Sequence, residues 1–148
     1  MSPPPGIESE DELALLVRSA RTVAVLGMKD EGAADAAAYR IPVMLRERGL
    51  RVIPVNPRIR EALGEPSRPD VAALGEPVDI LDVFRRSEKV AAHVDEILRL
   101  PEPLRPRVVW MQTGVRDDRS AERLAAAGIK VVMDRCLGVY AARYRTRA

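Results

Sequence analysis

The chain has 148 residues, of which 47% are hydrophobic and 31% are charged, and this suits one soluble domain with a substantial core. Its 24 basic and 22 acidic residues are intermixed and only 3% of residues are aromatic, so we expect no nucleic-acid-binding surface. The sequence contains no apolar run of the ~20 residues that a membrane span needs and no secretory signal, which predicts a cytoplasmic protein that does not associate with membranes. One cysteine and one histidine argue against a metal site of the zinc type.

Apolar strands alternate with helical segments along the chain. Residues 1–8 are rich in proline and are expected to form a flexible leader before a single domain over residues 9–148. Ser9 and Glu12 form a capping box that predicts a helix to about residue 20. Strands are predicted at 22–27, 51–57, 78–84, 108–112 and 130–134. Further helices are predicted at 38–48 with Pro42 in the first turn, at 87–100 with Ser87 as N-cap, at 118–127 and at 137–143, before a basic, solvated tail over 144–148.

This alternation predicts a Rossmann-like α/β fold, a three-layer sandwich around a five-stranded parallel sheet. The expected strand order is 3-2-1-4-5, with the switch point between strands 1 and 4. In such sheets ligands bind at the carboxyl ends of the strands, beside the switch point. The residues that follow each strand are therefore the candidates for a site.

The segment after strand 1, Gly27-Met-Lys-Asp-Glu-Gly32, keeps the first and third glycines of the G-x-G-x-x-G dinucleotide motif. Lys29 stands where the middle glycine would let the backbone approach a pyrophosphate, so the motif is broken. One interpretation is a loop that contacts phosphate through backbone amides, Lys29 and a helix N-terminus. The other is an ordinary turn in which Gly27 serves only backbone conformation.

The segment after strand 2, Asn56-Pro57-Arg58, lacks the carboxylate that NAD-binding domains place near this position. Arg58 instead favours a ribose that carries an extra phosphate, which is the 2′-phosphate of NADP or the 3′-phosphate of coenzyme A (CoA). A proline turn with a solvated arginine is the alternative interpretation.

After strand 3, Phe84 is a candidate to pack against adenine or a pantetheine arm, and Arg85 and Arg86 are candidates for an anion site. After strand 4, Gln112 can hydrogen-bond the amides of a ligand, whereas Trp110 is expected in the core.

Few residues suggest catalysis. His93 is interpreted as a structural residue on a helix flank away from the strand ends, and Cys136 as a small buried thiol. Asp79 and Asp82 lie in strand 3 and are either acid/base groups or hydrogen-bonded to neighbouring loops. We therefore expect no catalytic residue and no bound metal.

Seven segments together, at 22–27, 39–40, 51–57, 64–65, 77–85, 108–112 and 131–136, resemble the stand-alone CoA-binding domain proteins. That family is similar to the CoA-binding domain of the succinyl-CoA synthetase α subunit. The resemblance implies CoA as the cofactor, held by the loop after strand 1, the turn after strand 2 and the end of strand 3. The expected site residues are Gly27, Met28, Lys29, Asp30, Tyr39, Arg40, Asn56, Pro57, Arg58, Val83, Phe84, Arg85, Arg86 and Gln112.

The chain departs from the family over residues 33–38, where alanines replace a stretch that often contains serine. The phosphorylated histidine of the synthetase belongs to a further domain, so ligase chemistry by this chain is not expected. The resulting hypothesis is a protein that binds CoA or acyl-CoA without catalysis of its own. The alternatives are an NADP-binding oxidoreductase or redox-sensor domain, and an accessory subunit whose protein partner processes acyl-CoA.

Overall fold

The computed structural model describes residues 5–147, so the first four residues of the expected leader and residue 148 lie outside the described part. Five parallel strands form its central sheet: β1 (Thr22–Leu26), β2 (Arg51–Val55), β3 (Ile80–Val83), β4 (Val108–Met111) and β5 (Lys130–Val132). Five helices cover the sheet: α1 (Glu10–Ser19), α2 (Ala37–Glu47), α3 (Val90–Arg99), α4 (Asp118–Ala126) and α5 (Leu137–Tyr144). The α/β Rossmann-like sandwich predicted from the sequence is confirmed.

The order of the strands across the sheet is 2-1-3-4-5, because β3 pairs with β1 on one side and β4 on the other. It differs from the expected 3-2-1-4-5 in the place of β3, and Pro54 gives the physical reason. The Pro54 carbonyl faces the outer edge of β2, where it accepts from the Arg68 N–H at 2.9 Å. Proline has no N–H to offer at that edge, so a full strand cannot pair there. A single bridge between Val55 and Arg68 occupies the position instead.

Each face of the sheet has its own apolar core. On one face, strand residues such as Leu26, Leu81 and Met111 pack with α3 and α4. On the other, residues such as Val25 and Trp110 pack with α1, α2 and α5. Trp110 is fully buried, as expected, and its indole N–H donates to the Arg135 carbonyl at 2.9 Å. No helix within residues 5–147 has the length and apolarity to cross a lipid bilayer.

Two predicted helix starts need correction. Pro42 is the sixth residue of α2 and not part of its first turn. Its missing N–H frees the Ala38 carbonyl, which accepts from the Lys29 N–H at 3.0 Å and so ties the β1–α2 loop to the helix. Ser87 does not cap α3, because its hydroxyl accepts from the Arg116 N–H at 2.9 Å, and a short 3-10 turn precedes the helix instead.

The basic tail is not simply solvated. The guanidinium of Arg145 donates to the carbonyls of Val17 and Ala20 at 2.9 and 2.8 Å, at the end of α1. It also donates to the Arg48 carbonyl at 2.9 Å, at the end of α2. Burial lowers the pKa of Arg145. The tail therefore satisfies carbonyls that two helix C-termini leave without intrahelical partners.

Candidate functional site

A cleft of about 1020 Å³ opens at the carboxyl ends of the strands. It lies beside the switch point between β1 and β3, from which the chain leaves the sheet in opposite directions. Residues 56–58, 69 and 70 form the end of the cleft near β2 together with α3. Ile41, Gln112, Thr113 and Cys136 line it toward β4 and the start of α5.

Nine of the expected site residues line this cleft: Gly27, Lys29, Asn56, Pro57, Arg58, Phe84, Arg85, Arg86 and Gln112. The other five do not line it. Met28 and Val83 are buried in the two cores. Asp30 accepts from the Gly32 N–H at 3.0 Å and caps a short 3-10 turn. Tyr39 and Arg40 lie on α2 beside the lining residues, and the Arg40 guanidinium donates to the Asp35 carbonyl at 3.0 Å.

Gly27 makes the turn that opens the cleft. Its φ is +86°, and a Cβ at this position would lie 2.3 Å from the Phe84 carbonyl oxygen. Only glycine accommodates both the left-handed backbone and this approach of β1 to the end of β3. The conformational interpretation of Gly27 is therefore supported, and it places Gly27 in the cleft lining as well.

The amides of the loop after β1 are mostly occupied within the protein. The N–H groups of Gly27 and Lys29 donate to the carbonyls of Val55 and Ala38. By contrast, the N–H groups of Ala37 and Ala38 donate to no described residue, and Ala36 offers no capping side chain. Both alanines line the cleft. The donors available to an anion are thus at the N-terminus of α2, whose dipole also favours negative charge.

Five cationic side chains line the cleft: Lys29, Arg58, Arg85, Arg86 and Lys89. All five residues are exposed, and none forms an ion pair with a carboxylate among residues 5–147. In the same part of the chain, no three His, Cys, Asp or Glu residues group as metal ligands. The cleft is consequently a positive surface suited to an anion with several charges.

Asn56 holds two loops together at the cleft floor. Its side-chain amide donates to the Met28 carbonyl at 2.8 Å and accepts from the Arg58 N–H at 2.9 Å. Both polar atoms of this side chain are therefore committed to the protein, and they fix the β2 turn against the loop after β1.

Gln112 connects the cleft to a buried carboxyl group. Its amide nitrogen donates to the two carboxyl oxygens of Asp82 at 2.9 and 3.0 Å. Burial raises the pKa of Asp82 to about 8, with the Gln112 hydrogen bond acting in the opposite sense. Asp79 is different, since it accepts from the N–H groups of Arg21 and Thr22 at 2.7 and 3.0 Å, at the other end of the sheet. Both aspartates are thus hydrogen-bonded to neighbouring segments, one of the two alternatives left open by the sequence.

Comparison with known proteins fits this geometry. Residues 21–142 match the family model described as "CoA binding domain". The chain belongs to this CoA-binding domain family. A relative in Bacillus subtilis, the uncharacterized protein YneT, is 31% identical over 131 residues, which are 88% of this chain and 93% of YneT.

Solved structures share the fold of this CoA-binding-family protein. A Thermus thermophilus protein described as cell-free ID.343 is 41% identical, has a TM-score of 0.83, and the match covers 93% of this chain and 99% of that one. A hypothetical protein from Pyrococcus horikoshii OT3 is 22% identical with a TM-score of 0.81, covering 97% and 96% of the two chains. A dinucleotide-forming acetyl-coenzyme A synthetase from Ca. Korarchaeum cryptofilum is 20% identical with a TM-score of 0.61. The match covers 80% of this chain and 26% of the synthetase, and it shows a shared fold.

The sequence analysis did not place His93 and Cys136 in the cleft of this CoA-binding-family protein, but both line it. His93 lines the cleft, because the 3-10 turn before α3 brings the first turn of that helix to the strand ends. Cys136 is half-buried and also lines the cleft, beyond the end of β5. The Arg135 N–H donates to the Met111 carbonyl at 3.3 Å, which returns the chain to the end of β4. Cys136 follows the predicted strand 130–134 by two residues, which was a signal for a place at the strand ends, whereas His93 has no such signal in the local sequence.

Proposed function

We propose that this protein is a cytoplasmic domain that binds CoA or acyl-CoA in the cleft, without catalysis of its own. The observation that carries the proposal is a set of five cationic side chains around a cleft at the switch point, none of which pairs with a carboxylate within residues 5–147. CoA carries a pyrophosphate and a 3′-phosphate, so it offers several negative charges to such a surface. Membership of the CoA-binding domain family supports the same ligand.

The positions of the donors suggest how the ligand lies. The pyrophosphate sits over the N-terminus of α2, where the Ala37 and Ala38 N–H groups and Lys29 are available. The 3′-phosphate meets Arg58, at the end of β2 where NAD-binding domains place a carboxylate. The pantetheine arm then runs past Phe84 toward the part of the cleft that Ile41 and Gln112 line.

Isothermal titration of CoA and dephospho-CoA into the wild type and Arg58→Ala tests this arrangement. We expect CoA to bind about tenfold more weakly to the variant, since a charge-assisted hydrogen bond is lost, while dephospho-CoA binds both proteins alike. Arg60→Ala is the matched control, because this exposed arginine lies two residues further along and does not line the cleft. Equal affinity of the wild type for CoA and dephospho-CoA would contradict the role of Arg58.

Two further measurements, a titration of NADPH and an affinity purification, separate the other functions. Arg58 also fits the 2′-phosphate of NADP, so saturable NADPH binding with no response to CoA would replace the proposal with an NADP-binding domain. An accessory role predicts a stable complex with a protein that processes acyl-CoA, which affinity purification from cell extract in the presence and absence of CoA would detect.

A further inference from the structure

The His93–Glu96 pair is a feature of the cleft that phosphate binding does not explain. Both residues lie on α3 and line the cleft. The His93 Nδ1 atom is 3.1 Å from a carboxylate oxygen of Glu96, and the side chains are 16% and 30% exposed. The pair is therefore partly shielded from water but open to a ligand.

The hydrogen bond to Glu96 determines what His93 presents. A carboxylate only accepts, so Nδ1 carries the hydrogen and Nε2 of the neutral ring is left as an acceptor. Burial lowers the pKa of His93, and together with the nearby Arg85 it outweighs the opposite effect of Glu96, which favours the neutral form of the ring. Nε2 has no partner within residues 5–147, and no described side-chain nitrogen or oxygen is both buried and unpartnered. Nε2 is thus not buried, and His93 lines the cleft.

This acceptor stands at the β2 end of the cleft. Alpha-helix α3 packs against the turn Val71–Leu74, and Pro69 and Asp70 before that turn line the cleft as well. One Asp70 carboxylate oxygen accepts from the Ala73 N–H at 2.9 Å. Five charged residues line this end of the cleft together with His93. They are Asp70 before the turn, Arg58 after β2, Arg85 after β3, Lys89 directly before α3 and Glu96 on α3.

If the 3′-phosphate meets Arg58, the nucleoside of CoA lies at this same end. We propose that His93, oriented by Glu96, reads the base by accepting a hydrogen bond at Nε2 from the 6-amino group of adenine. This inference rests on the proposed function. It makes the site selective for a 6-aminopurine, because a 6-oxopurine would turn a carbonyl oxygen toward an acceptor.

The test compares the affinities of CoA and deaminated CoA, in which hypoxanthine replaces adenine, by isothermal titration at pH 7.5. In the wild type we expect deaminated CoA to bind about tenfold more weakly, the effect of a lost hydrogen bond and an unpaired acceptor. In His93→Phe the two ligands should bind alike. In Glu96→Gln the ratio should fall, because an amide can donate to Nδ1 and reverse the ring tautomer. Glu88→Gln, an exposed residue outside the cleft, should keep the wild-type ratio.

The ratio of two affinities within one protein is insensitive to a general loss of stability, so each variant reports on base recognition. Equal binding of the two ligands by the wild type would overturn the inference and leave CoA binding intact. An unchanged tenfold ratio in His93→Phe would also overturn it. Failure of the wild type to bind CoA at all would overturn both this inference and the proposed function.

Discussion

Replacement of Asp82 by asparagine should make the protein more stable at alkaline pH and remove a pH dependence. The Asp82 carboxyl is fully buried, and its pKa is raised to about 8 from a usual 3.8. Between these values the folded protein keeps a proton that the unfolded chain has released, so stability falls as pH rises from about 4 to about 8. At 1.36 kcal/mol per pKa unit, this penalty is at most on the order of 6 kcal/mol. Asparagine resembles the protonated acid and can still accept from Gln112.

Urea unfolding followed by circular dichroism between pH 5 and 9 measures the effect. We expect the stability difference, which is the free energy of unfolding of Asp82→Asn minus that of the wild type, to rise with pH and to level off above pH 8. A packing cost of the substitution that does not depend on pH shifts this difference but leaves its change with pH the same.

Asp79→Asn is the matched control for this measurement. Partial burial acts to raise the pKa of Asp79, but hydrogen bonds from the backbone N–H groups of Arg21 and Thr22 and the nearby Arg107 lower it overall. The variant should therefore be less stable than the wild type at neutral pH, with the difference shrinking below about pH 4. A difference between Asp82→Asn and the wild type that stays constant from pH 5 to 9 would refute the reasoning about the buried carboxyl.

Two further substitutions should each lower stability in thermal and urea unfolding by more than a matched control does. Gly27→Ala should cost at least about 2 kcal/mol, because its Cβ meets the Phe84 carbonyl oxygen at 2.3 Å. Gly64→Ala, also at positive φ but in open space, should cost about 1 kcal/mol, and an equal loss in both would contradict the role of close approach. Arg145→Ala should cost about 2–3 kcal/mol by leaving helix-end carbonyls without donors. Arg147→Ala removes one exposed ion pair to Glu47 and should change stability by less than about 0.5 kcal/mol.

The element types could be predicted from the sequence because each depends on local pattern. Ser9, three residues before Glu12, does cap α1, where its hydroxyl accepts from the Glu12 N–H at 3.4 Å. Short apolar runs rich in valine gave all five strands to within a few residues. The position of β3 in the strand order was not predicted correctly, although Pro54 indicated that β2 lies at an edge of the sheet. A proline in a strand excludes a neighbour on one edge, and only the register shows which edge.

The residues of the site likewise divide into those that local sequence patterns predict and those that they do not. Arg58, Arg85 and Gln112 follow strands directly, so the rule that ligands bind at carboxyl ends of strands was enough to place them. His93 and Cys136 reach the cleft through a 3-10 turn and through a turn at Asp134 with φ of +55°. Those two turns depend on tertiary contacts, such as the Gly114 N–H donating to the Asp134 carboxylate at 2.6 Å, which single-sequence patterns do not encode.

The cleft residues fall into two groups that need different experiments. Gly27, Asn56 and Gln112 hold loops or a buried carboxyl in place, so their substitution changes the shape of the cleft as well as its chemistry. The guanidiniums of Arg58 and Arg85 make no hydrogen bond or ion pair within residues 5–147, and removing them leaves the fold without an unsatisfied partner. A loss of ligand affinity is therefore evidence of direct contact when it follows from an arginine substitution. After substitution of Asn56 or Gln112, the same loss has to be separated from a change in stability first.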